Sequence, residues 1–159
     1  MSQSVLIDEQ ELKNTFEKAF SDVLKESIVN EQPDYNWLLR LFDEIRLKLC
    51  RLVPNNKSIQ DKINEHMDIQ LFEQMIINNA FTSNDLKNLV DFVFDMILKL
   101  QTPTRDTDTK NVYNQLCSKF EDSSCIFGEI VSNFVIDANK CIDFIYEDIS
   151  KFCENNGGQ

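Results

Sequence analysis

An all-α fold, a single-domain bundle of six to seven helices closed by a long C-terminal helix, is what this 159-residue sequence predicts. Three observations predict it. Glycine and proline number only three each, too few for the tight turns that a sheet of hairpins requires. Apolar residues recur at steps of three and four along most of the chain, whereas the alternating strand pattern of Val, Ile, Thr and Tyr is absent. Asp, Thr and Ser stand at the starts of the apolar runs, where a helix needs a side-chain oxygen to cap its first amides.

In chain order, Asp8 and Glu11 form a capping box ahead of Leu12, Phe16, Phe20 and Leu24, so a first helix is expected to about Val29. Asp34 opens a strongly amphipathic second one through Leu38, Leu41, Phe42, Ile45, Leu49 and Leu52, which Pro54 ends. Ile59, Ile63 and Met67 mark a short third helix. Asp68 caps a fourth that carries Ile69, Leu71, Phe72, Met75 and Ile76. Thr82 or Ser83 caps a fifth, apolar on nearly every face from Leu86 to Leu100 and therefore expected to be central. After "TPTRDTDT" a sixth runs from about Asp108 to Phe120. The last is expected from Ser123 or Ser124 to about Cys153, with Phe127, Phe134, Ile142, Ile149 and Phe152 on one face and a length of about 45 Å. Residues 1–155 read as one domain, followed by a frayed tail over 156–159.

A chain of this length can bury about 70% of its unfolded surface without disulfides or metals. Its net charge is −11, and no run of Lys or Arg forms a basic stripe. That charge disfavours nucleic acid and anionic membranes and favours a protein partner with a basic surface. There is no basic-then-apolar leader and no apolar window long enough to span a bilayer, so the expectation is a cytoplasmic or nuclear protein without a membrane span. Cys50, Cys117, Cys125, Cys141 and Cys153 are dispersed, with no CxxC pair, and are expected as reduced thiols.

Candidate chemistry is sparse. Asp91 with Asp95, and Asp143 with Glu147, lie one helical turn apart, but no Glu has a His three residues on, as a di-iron bundle would require. "DTDTKN" opens like a calcium loop at Asp106 and Asp108, yet Asn111 stands where the sharp turn needs Gly, and Cys117 where the bidentate ligand should be. His66, the single histidine, reads as a surface residue. No catalytic residue, metal or cofactor is expected, and the chain reads as a non-enzyme.

Two stretches carry a resemblance. "YNWLLRLFDEIRLKLCRLVP", Tyr35 to Pro54, with Asp43, Glu44, Ile45 and Arg46 at its centre, resembles the T-complex protein 11 family, whose members show leucines, Glu-Ile-Arg, more leucines and a proline. "SIQDKINEHMDIQLFEQMI" keeps that family's spacing of Ile63, Asp68, Leu71 and Gln74. The family's Leu-x-x-Pro-x-Arg-Asp motif then stands as Leu100, Pro103, Arg105 and Asp106, with Gln101-Thr102 in place of its usual Cys-Ala. The resemblance covers about residues 34–112 and suggests a short form of the family domain. It implies a helical binding or regulatory module linked to signalling through cyclic AMP and protein kinase A. The alternative is a structural protein that self-associates through the last helix, with Phe134 and Ile142 as the contact. Arg105 is expected to fold back onto Asp43 or Glu44 as a bidentate pair.

Overall fold

The computed structural model describes residues 36–78, 80–125 and 127–157, and the helix expected between Asp8 and Val29 lies outside them. Every regular element among the described residues is helical: α1 (Asn36–Leu52), α2 (Lys57–His66), α3 (Ile69–Ile77), α4 (Ser83–Leu100), a 3-10 turn (Pro103–Arg105), α5 (Asp106–Glu121) and α6 (Phe127–Gly157). The all-α class and the long C-terminal helix agree with the sequence.

The local signals act as their chemistry dictates. Leu38, Phe42, Ile45 and Leu49 of α1 are buried at steps of three and four. Past Leu52 the chain turns into Pro54, and Gln60 of α2 reaches back to donate to the carbonyls of Cys50 (3.3 Å) and Val53 (2.9 Å), each of which also accepts a backbone amide of the turn. Asp68 accepts from the Leu71 amide at 3.1 Å and starts α3. Thr82, rather than Ser83, starts α4, in a reciprocal box with Asp85.

α6 packs against α1, α4 and α5, and six consecutive residues, Ile130 to Val135, are buried along its first half. Phe42 links α1 to α3 and α6, its ring lying 6.0 Å edge-on from Phe72 and 6.2 Å from Phe134. α4 buries Leu86, Leu89, Val90, Val93, Phe94, Met96 and Ile97, which makes it the central helix that its composition predicts.

Several expectations change. Leu71 is 49% exposed, because α3 meets the core through Phe72 and Ile76, one turn apart, and Leu71 lies off that line. Ile149 and Phe152 are exposed as well, in a stretch of α6, residues 149–154, that is exposed throughout. Phe134 and Ile142 are fully enclosed in this chain's own core and so are closed to a second copy. α6 starts at Phe127, later than Ser123 or Ser124, because Asp122 accepts from the amide and hydroxyl of Ser124 (2.9 and 2.7 Å) and holds those residues in a turn.

Candidate functional site

The signature residues collect at two places. In the first, Ile45 lies in the core, Glu44 on the surface, and Arg46 donates through Nε to Asp43 Oδ1 (2.8 Å) and through Nη1 to Asn64 Oδ1 (2.7 Å), joining α1 to α2. The Cys50 thiol sits against the same Asn64, and burial raises its pKa while Arg46 pulls the other way.

The second is the corner between α4 and α5. Gln101 ends α4 in an extended conformation, and Pro103 enters the 3-10 turn at its first position, where its missing N–H costs nothing. Gln101 is 8% exposed and its side chain bridges the corner: Nε2 donates to Asp106 Oδ1 at 3.0 Å, and Oε1 accepts from the buried Thr109 hydroxyl at 2.8 Å. Asp106 is thereby fixed at the start of α5, where a carboxylate also suits the helix dipole.

Arg105 does not reach Asp43 or Glu44. Asp43 is held by Arg46 on its own helix, and Arg105 faces α6, where Nε and Nη2 donate to the two carboxylate oxygens of Asp148 at 2.6 and 2.8 Å. Its guanidinium lies 4.4 Å from the centre of the Phe144 ring, one turn before Asp148. The hydrogen bonds to Arg105 hold the Asp148 carboxyl below its ordinary value, and the same bonds raise Arg105. The corner thus latches the second half of α6. Asp148, Phe144, Gln101 and Thr109 were not legible as parts of it; the i, i+4 spacing of Phe144 and Asp148 gives them one face, but nothing in the sequence points that face at Arg105.

The other candidates resolve into pairs. Asp91 accepts from Lys87 (2.6 Å) and from Tyr113 (2.6 Å), which pushes the Tyr113 hydroxyl up to about 12. Burial works to lower the Lys87 ammonium, but its bonds to Asp91 and Tyr113 outweigh that and raise it. Asp95 pairs with Lys99, Asp143 with Lys48, and Glu147 with Lys151. Asp106 and Asp108 lie inside α5, so no calcium-type loop forms there. His66 is exposed, as expected, with its ring stacked 4.4 Å from Phe92 and Nδ1 at 2.9 Å from the Lys62 carbonyl. Burial, with Asp137 beside it, pushes the Cys141 thiol up to about 11, far from a reactive thiolate. Among the described residues no group of three or more His, Cys, Asp or Glu is placed to hold a metal, and no helix is long and apolar enough to cross a membrane.

Fold and corner define an all-α bundle protein whose signature polar residues tie helices together. The family model of T-complex protein 11 matches residues 3–135, and the chain belongs to the T-complex protein 11 family. The match reaches beyond the 34–112 stretch legible by eye, into α6. Over 107 residues the chain is 30% identical to the human T-complex protein 11 homolog, an alignment that takes in 67% of this chain and 21% of the relative. The chain therefore aligns with about a fifth of that relative's length. No solved structure matches.

Proposed function

We propose that this chain is a non-catalytic protein-interaction or regulatory module, acting in the cytoplasm or nucleus by presenting an acidic helical surface to a basic partner. The setting implied by the family is signalling through cyclic AMP and protein kinase A. One observation carries the reading: the two arginines of the signature, and the Gln101 that departs from it, bond within the chain. Arg105 is occupied by Asp148, Arg46 by Asp43 and Asn64, and Gln101 by Asp106 and Thr109, so these groups position helices. Recognition is then left to the outer faces, where a net charge of −11 attracts cations. The test is purification of the full chain from its native host with its bound proteins, at low and at high salt. The expected result is a stoichiometric partner with a basic surface that leaves as salt rises from roughly 0.1 M to 1 M, where the screening length falls from about 10 Å to 3 Å. Retrieval of this chain alone would overturn the reading.

The exposure of Ile149 near the end of α6, at 46%, favours self-association as a second reading. Light scattering on the purified chain decides it: a dimer reduced to monomer by Ile149→Asp supports it, and a monomer at high concentration rules it out.

A further inference from the structure

We propose that Thr102 is a phosphorylation site for a proline-directed protein kinase, and that the phosphate opens the latch between Arg105 and Asp148. Thr102 and its neighbours Pro103 and Thr104 are exposed. Because the proline ring disfavours helical geometry in the preceding residue, Thr102 is extended, with φ −67° and ψ 144°. An extended, exposed threonine followed by a residue with no amide hydrogen is the form a proline-directed kinase reads. The Thr102 hydroxyl caps no helix amide, and its bond is to the Thr104 hydroxyl at 2.9 Å. Thr107, also exposed, lies inside α5, where the backbone cannot extend into a kinase cleft without unwinding the helix.

In the transfer, Thr102 Oγ1 forms a bond to the γ-phosphorus of a magnesium-bound nucleoside triphosphate. The bond from that phosphorus to the bridging oxygen breaks, the nucleoside diphosphate leaves with the electron pair, and the hydroxyl proton passes to the kinase base. The product carries a charge of about −1.5 to −2 and three strong acceptor oxygens. It sits in the same turn as Arg105, whose amide donates to the Thr102 carbonyl at 3.1 Å. The phosphate competes with Asp148 for the guanidinium and repels Asp106 and Asp108, so the end of α6 loses its tether. This regulation is independent of the binding reading above, because it acts on the corner whatever the outer faces recognise.

The experiment treats the folded full chain with a purified proline-directed kinase and magnesium ATP, maps the phosphate by mass spectrometry, and measures amide exchange over residues 145–154. The expected result is one phosphate at Thr102 in the wild type and in Thr104→Ala, none there in Thr102→Ala, and exchange faster by about tenfold on phosphorylation, the scale of one charge-assisted hydrogen bond. Arg105→Ala should show the same acceleration without phosphate and gain little more with it. Phosphate accepted at Thr102 only after denaturation would overturn the site. Phosphate at Thr102 with unchanged exchange would overturn the latch.

Discussion

Arg105 is the residue on which the corner turns, and its contribution is bounded by its surroundings. The Arg105 and Asp148 side chains are 28% and 21% exposed, so their pair is stronger than a solvated surface bridge and weaker than a buried one. Arg105→Ala should lower unfolding stability by about 1–2 kcal/mol in urea titrations, and Arg105→Lys should recover only part of that, since an ammonium lacks the two-pronged geometry and the stacking on Phe144. The effect has a sign in pH. Asp148 is held below the ordinary carboxylate value of 3.8, so the pair's contribution is complete above that value and is lost as pH falls through the lower, folded one. Below about pH 4 the wild type should therefore lose stability more steeply than Arg105→Ala, and the two curves should converge. The motif singled out Arg105, but the expected partner, Asp43 or Glu44, was the wrong carboxylate. Arginine-carboxylate pairing is visible in composition, whereas a partner 43 residues away depends on how α6 is rotated when it packs.

At the scale of elements, starts and stops were largely legible because they are local. Asp68, Thr82 and Pro54 act within one turn of themselves, through amides that any helix exposes at its first turn or through a missing N–H. The misplaced start of α6 was local too, but two mechanisms competed at Ser123 and Ser124, and the Asp122 turn prevailed over a serine cap. Side chains that act between elements were the illegible part. Gln101 marked a departure from the family pattern before it proved to be the bridge between Asp106 and Thr109. Gln101→Ala removes the oxygen acceptor of the Thr109 hydroxyl, 4% exposed, together with the bond to Asp106, and should cost about 1–3 kcal/mol by chemical denaturation. The opposite outcome is expected at Ser132. Among the described residues its hydroxyl is buried in α6 with no hydrogen-bond partner, so Ser132→Ala, which removes the orphan and improves helix propensity, should raise unfolding stability by up to about 1 kcal/mol in chemical denaturation.

For the molecule as a whole, the decisive distinction is between apolar residues that make the core and those that remain outside it. The sequence put Phe134, Ile142, Ile149 and Phe152 on one face of one helix, correctly, yet a helix face carries no mark of where the neighbouring helices end. α1, α4 and α5 bury α6 as far as Ile145, Tyr146 and Asp148 still bond to α1 and to the corner, and residues 149–154 are exposed. Substitutions on the same stripe should therefore have opposite consequences. Phe134, 0% exposed and in ring contact with Phe42, should cost about 3–5 kcal/mol as Phe134→Ala, a large part of the roughly 5–15 kcal/mol that holds a domain together. A buried carboxylate is worse, so Phe134→Asp should yield a chain without a cooperative melt by circular dichroism. Ile149→Asp, at a 46% exposed position, should keep the wild-type helical signal and a melting temperature within about 2 °C, as surface changes do. Equal destabilisation by the two aspartates would mean that Ile149 belongs to the core and that the fully buried part of α6 does not end at Ile145.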